Sequence, residues 1–147
     1  MPRHYAQGRF SLKNPNKYMG MKDPLYRSSW EFAFMKFCDE SPSIARWASE
    51  AVKIPYRNPL TGRYTIYVPD FFINYVDKGG QPHAEIIEIK PQNQSIKEKV
   101  GRNANNQASY ILNRAKWEAA TVWCRQKGLK FRVINETDIF HQGNKRR

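Results

Sequence analysis

The fold is decided by two runs, YTIYVPDFFINYV at 64–76 and AEIIEIK at 84–90. Both are rich in β-branched and aromatic residues, which favours strands. Between them Asp77-Lys78-Gly79-Gly80-Gln81 supplies the turn residues that send a chain back on itself, so the runs are predicted to form a hairpin. Pro69 cannot donate to a sheet ladder and predicts a bulge, bend or edge position inside the first run. Strand side chains alternate faces, so Glu88 and Lys90 share one face while Ile87 and Ile89 turn to a core. Val68, Asp70, Phe72 and Asn74 share a face of the first strand, and a hairpin can set Asp70 opposite the Glu88/Lys90 pair.

Outward from the hairpin, a helix is expected at 28–39. Ser28 with Glu31 three residues on has capping-box spacing, and Trp30, Phe34, Phe37 and Cys38 fall on one helical face. A turn or short helix at 42–50 is expected to lead into a strand near 51–56. After the polar, basic segment that follows Pro91, a long helix is predicted near 103–127. Its apolar stripe reads Ala108, Ile111, Leu112, Ala115, Ala119 and Val122, and Gly128 ends it. LKFRVI at 129–134 is the last strand. The order α, β-hairpin with further strands, α, β indicates a mixed α/β domain over 26–140. It is preceded by a Pro- and Gly-broken basic stretch at 1–25 and followed by a basic tail at 141–147. The leading stretch reads as an extended arm whose Arg3, Arg9, Lys13, Lys17 and Lys22 either grip phosphates or are simply solvated.

Charge narrows the functional classes. With 25 Lys+Arg against 13 Asp+Glu, the formal charge is +12, and such an excess of one sign points to a polyanionic partner. An anionic membrane would also suit it, but no basic amphipathic helix with a continuous lipid-facing stripe is present. Charge alone does not separate an enzyme from a structural nucleic-acid binder. Cys38 and Cys124 lie among apolar neighbours and are expected to be buried free thiols. The three histidines, His4, His83 and His141, are scattered, so no zinc spacing is visible. The absence of an 18-residue apolar run or a signal-peptide core leads us to expect a soluble, cytoplasmic protein.

Acidic residues are scarce, yet Asp70 and Glu88 stand inside apolar strands (VPDFF, IIEIK), where an unused charge would be expensive to desolvate. Two carboxylates beside an ammonium suit a hard divalent cation such as Mg²⁺ or Mn²⁺, with the Ile89 carbonyl as a further oxygen. That chemistry polarises a phosphodiester and activates water, while Lys90 orients the water or stabilises the developing charge. The bland alternative is a surface salt bridge at solvated strand ends.

Pro69-Asp70…Glu88-Ile89-Lys90, preceded by Tyr26-Arg27-Ser28-Ser29-Trp30-Glu31, resembles the PD-(D/E)XK nuclease superfamily. The runs YRSSWEFAFMKFCDESPSIARWASEAVKIPY, YVPDFFINYVDK and IEIKP are similar to the head-completion nucleases of T4-like phages. TnsA-like endonucleases share the R-S-x-x-E start. The resemblance covers about residues 8–135. It implies a restriction-endonuclease-like core with a central mixed sheet flanked by helices. It further implies a metal site of Asp70, Glu88 and Ile89 with Glu31 completing it, Lys90 as catalytic lysine, and Mg²⁺ or Mn²⁺ as cofactor. Arg27 and Ser29 would then lie beside Glu31, on phosphate.

Lys97, Lys99, Arg102 and Lys116 are further candidates for DNA contact. Gln107, Tyr110 and Asn113 share the second helix, where a solvated face is the plainer reading; Gln107 and Tyr110 are one residue short of the Gln-x-x-x-Tyr spacing of some exonucleases. Glu50 is a weaker candidate ligand. The short loop at 77–83 and the lack of a further DNA-reading domain suggest cleavage with low sequence preference. The expected setting is phage head completion in the infected cell or virion, with DNA and portal or other head proteins as partners. Two alternatives stay open: a structural DNA-binding head protein, or a transposition or repair endonuclease of TnsA type.

Overall fold

The computed structural model describes residues 7–90, 104–135 and 138, with the side chains of 104–106 excepted. A four-stranded sheet forms its centre. The order is β3 (Ile44–Ser49), β6 (Phe71–Val76), β7 (Pro82–Ile89) and β8 (Lys130–Ile134). The first three strands run antiparallel and β8 joins β7 in parallel, so the sheet is mixed. Parallel neighbours need a crossover connection, and the helix α2 (Ala104–Gln126) lies in it.

The helix α1 (Ser29–Glu40) covers one face of the sheet. Ser28 caps it, its Oγ accepting the Glu31 N–H at 3.1 Å, while the Arg27 N–H is donated to Glu31 Oε1 at 2.9 Å. The Ser28 half of the expected capping box is therefore formed, while the Glu31 carboxylate reaches back one residue further, to Arg27 rather than to the cap's own N–H. Phe34, Met35 and Cys38 pack with Trp47, Phe71, Ile73, Ile87, Ile89 and Ile134. Trp30 and Phe37 are only partly buried, and Met35 takes a fully buried place. A two-stranded ribbon, β4 (Ile54–Arg57) with β5 (Tyr64–Tyr67), packs against α2 through Ile54, Tyr56, Tyr67, Trp117 and Ala120. Phe131 and Val133 of β8 join this second core from the sheet's other face.

Several expectations shift. Residues 44–49 form a strand rather than a turn or helix. A bulge between Ile44 and Arg46 breaks the alternation that would have revealed it. The strand expected near 51–56 begins only at Ile54. The run 64–76 is two strands in different sheets, parted at Val68–Asp70 around buried Pro69. On α2 the buried face is Asn113, Trp117, Ala120 and Cys124, whereas Ile111 and Val122 are about half exposed. Two buried residues outside the expected stripe, the bulky Trp117 and the small Cys124, mark the rotation of the helix. Gly128 ends it as expected, with φ +73° and the Leu129 N–H donating to the Cys124 carbonyl at 2.8 Å.

The leading basic stretch is not a free arm where it is described. Its strand β1 (Gly8–Arg9) pairs with β2 (Leu25–Tyr26), and Phe10 is buried in the core. Buried Asp39 explains the anchoring. Its carboxylate accepts the backbone N–H groups of Lys13 (2.9 Å) and Asn14 (3.0 Å), and the Lys17 ammonium donates to the Asp39 and Ser41 carbonyls. A buried carboxylate must find donors, and this segment supplies them. Lys17 is thereby used internally rather than offered to phosphate. Both cysteines are free and buried, as expected. Among the described residues, no helix is long and apolar enough to cross a membrane.

Candidate active site

The break at Pro69 creates the site. With Phe71 opposite Ile87, continuing the hairpin register sets Asp70 opposite Glu88. Asp70 does not extend the ladder with its backbone. Its side chain turns in instead, and Oδ2 accepts the Ile89 N–H at 2.8 Å. The Asp70 carbonyl accepts the Glu50 N–H at 2.9 Å, tying the bend to the end of β3. Glu50 holds φ +52° to do so, the sole non-glycine residue with positive φ among those described. This left-handed conformation costs roughly 1–2 kcal/mol, an expense that clusters at sites whose geometry matters more than local comfort.

Glu88 is buried in β7. Its Oε1 accepts the Tyr67 hydroxyl at 2.8 Å, and Lys90 Nζ stands 3.6 Å from its Oε2. The Lys90 N–H is fastened to the Ile134 carbonyl at 2.9 Å, so the lysine leaves a fixed strand end. Burial, then the facing charge of Glu88, pushes Asp70 up to about 8. Burial also raises Glu88, with Lys90 and the Tyr67 hydrogen bond opposing. Two carboxylates crowded in a poorly hydrated place, with one ammonium to neutralise them, form a site that lacks positive charge.

Lys116 supplies part of it. The sequence reading assigns it to DNA contact, but the structure sets its Nζ 5.6 Å over the Tyr67 ring, half-buried. Burial lowers its pKa foremost and Lys90 adds to this, while Glu88 works the other way. The residue thus belongs beside the carboxylates. Tyr67 is what sequence reasoning missed. It stands three residues before Asp70, and only the parting of the two strands sends its hydroxyl to Glu88. Burial and Glu88 hold that hydroxyl far above its ordinary pKa, so it remains a donor.

Glu31 lies at the margin. Its carboxylate is occupied by the Arg27 N–H, and burial raises it, with Arg27 and Lys90 lowering it and Glu50 raising it. It does not close with Asp70 and Glu88 into a three-membered set, and no such group of acidic, histidine or cysteine side chains is found among the described residues. The Arg27 guanidinium pairs with Glu50 at the surface. Such exposed pairs contribute little, so exchanging this one for a phosphate is inexpensive. Ser29 is exposed at the start of α1. Asn113 is buried, against the solvated face expected for it, whereas Gln107 is exposed. Lys97, Lys99 and Arg102 lie outside the described residues.

Comparison with known proteins identifies the family. Residues 41–136 match the family described as TnsA-like endonuclease N terminal. The chain is 32% identical over 142 residues to the head completion nuclease of Enterobacteria phage T4, covering 90% of this chain and 92% of that protein.

Proposed function

Because the chain belongs to the TnsA-like endonucleases of the PD-(D/E)XK superfamily, we propose that it hydrolyses DNA phosphodiesters at the Asp70–Glu88–Lys90 cluster with a divalent metal ion. The observation that carries this reading is the meeting of buried Glu88 and partly buried Asp70 with Lys90 at the bend after Pro69. The donor set fits Mg²⁺ or Mn²⁺. Both side chains offer oxygen, and a pair leaves the remaining positions to water and substrate, which is how Mg²⁺ is commonly held. Asp70 and Glu88 would hold the ion, with the carbonyl of Ile89, next to Glu88 in sequence, as a further oxygen and Glu31 as an outer carboxylate. When bound, the ion supplies Lewis-acid polarisation of the scissile phosphate and lowers the pKa of water.

The chain's own residues do the rest. The Ile89 N–H fixes Asp70, and the Tyr67 hydroxyl fixes Glu88. Lys90, held at the strand end, donates to the attacking water or to the oxygen on which charge develops. Lys116 keeps a second ammonium at the same cluster, and Arg27 and Ser29 stand where a neighbouring phosphate would pass. The turn at 77–81 between β6 and β7 is short, and contacts that fall on phosphates carry no sequence information, which supports low sequence preference. The T4 relative's name suggests the setting, completion of a phage head, and we propose packaged DNA and portal or other head proteins as the partners there.

The first test is incubation of the purified chain with linear, circular and branched DNA under Mg²⁺, Mn²⁺ or chelator. Cleavage is expected with either ion and none with chelator. Cleavage that survives chelation would remove the metal from the mechanism, and binding without cleavage under every condition would favour a structural DNA-binding role. Tyr67→Phe deletes one hydroxyl from an otherwise intact core. A hydrogen bond to a charged group is worth about 1.5–3 kcal/mol, and part of this reaches the reaction, so the cleavage rate should drop about tenfold. An unchanged rate would show that Glu88 needs no such fixing.

A further inference from the structure

Among the described residues, the β4–β5 ribbon buries one face and leaves the other exposed. Ile54, Tyr56 and Tyr67 point into the second core. Across the strands Pro55 pairs with Ile66 and Arg57 with Tyr64, and all four are exposed. Tyr64, at the start of β5, is 77% exposed and Ile66, within it, 52%. Val68 extends the strip towards Asp70, and Leu60 lies at the ribbon's turn, also exposed. An apolar strip of this kind marks a contact surface.

Charge says what contacts it. From 51 to 69 the sequence carries Lys53, Arg57 and Arg63 and no Asp or Glu. All three cations are exposed. A strip for a protein partner would not need an uncompensated positive rim, whereas a polyanion does. The ribbon also runs directly into the catalytic bend. Tyr67, on its inner face, holds Glu88, and Asp70 follows three residues later. Through exposed Val68 the outer face leads along the chain to Asp70.

We infer that the outer face of the β4–β5 ribbon is the duplex-DNA grip of this chain, with Lys53, Arg57 and Arg63 on phosphates and Tyr64 and Ile66 packed in a groove. A two-stranded ribbon is an element that the major groove of B-DNA admits. The inference rests on the nuclease reading for its substrate and adds the surface that receives it.

The test reads binding separately from cleavage. Anisotropy of a fluorescent duplex is measured in chelator across a salt series, with cleavage followed in parallel under Mg²⁺. Lys53→Ala/Arg63→Ala should weaken binding about tenfold and reduce the slope of log K against log salt by about 2. Tyr64→Ala/Ile66→Ser should weaken binding with the slope unchanged. Lys78→Ala/Lys130→Ala removes the same charge from the opposite end of the sheet, where both residues line one cavity, and serves as the reference.

Ribbon variants that bind like this reference overturn the inference, as does a wild-type chain that fails to bind duplex. So would Tyr64→Ala/Ile66→Ser if it dissolved a dimer in sedimentation while leaving DNA affinity intact. If the ribbon variants bind and cleave normally, the nuclease reading stands without the ribbon. If they lose binding while wild type never cleaves, the ribbon stands and the nuclease reading falls.

Discussion

Lys90→Ala is expected to lower the cleavage rate by about 10³-fold while leaving DNA affinity nearly unchanged. The lysine is fixed at the end of β7 by its N–H bond to Ile134, and its ammonium stands 3.6 Å from Glu88. A charge so placed acts on whatever charge develops beside the carboxylates, and that interaction exists in full only in the transition state. Binding draws on a formal charge of +12, so losing one cation flattens the salt dependence by about one unit of slope at most. Retained binding also shows that the variant is folded. Lys90→Arg keeps the charge but spreads it over a planar fork, so it should recover only part of the rate. Wild-type cleavage by Lys90→Ala would remove this residue from the mechanism.

How much of this was legible in the sequence depends on which interactions carry the signal. The Asp70–Glu88–Lys90 triple was readable because a hairpin register and period-2 alternation are local rules, and the register of β6 on β7 obeys both. The cap of α1 was readable for the same reason. β3 was hidden, since its bulge at Ile44/Arg46 shifts the alternation midway. The partnership of Tyr67 with Glu88 depends on a strand changing sheets at Pro69. The proline announced a break, but nothing local states where the severed half goes. Lys116 was visible as a cation on a helix, but its place over Tyr67 follows from the rotation of α2 set by Trp117 and Cys124, a tertiary outcome. The anchoring of residues 7–26 by Asp39 is likewise a contact across more than 20 positions, beyond any window-based reading.

These long-range contacts share a purpose. Glu50 in its left-handed conformation, the Ile89 N–H and the Tyr67 hydroxyl each restrain one side of a pair of like charges that would otherwise separate or attract water. The fold thereby stores an electrostatic deficit at the end of the sheet. The exposed Lys13–Glu40 ion pair and the His83–Asp77 hydrogen bond do nothing comparable.

Asp70→Asn should therefore raise the thermal stability of the metal-free protein while abolishing cleavage. The amide keeps the shape and an oxygen to accept the Ile89 N–H, but removes a charge that burial and Glu88 both oppose. The sign follows from linkage. The carboxyl titrates at about 8 when folded, well above its unfolded value near 4, so the folded state holds the proton over that interval and ionisation favours unfolding. Wild type and variant should then match below about pH 4, with the variant's advantage growing as pH rises and levelling off near pH 8. After relaxation and water entry, a few kcal/mol at most should remain, which for a chain of this length is a rise of about 4–8 °C in Tm at pH 8. Mg²⁺ should reverse the order. It stabilises whichever form binds it, so wild type should gain with added ion and the variant should not. Differential scanning across pH, with and without Mg²⁺, reads both effects. A variant less stable than wild type at pH 8 without metal, or one that responds equally to Mg²⁺, would mean that Asp70 is an ordinary structural carboxylate. A crossing of the two curves on adding the ion would tie the stored deficit to the metal that relieves it.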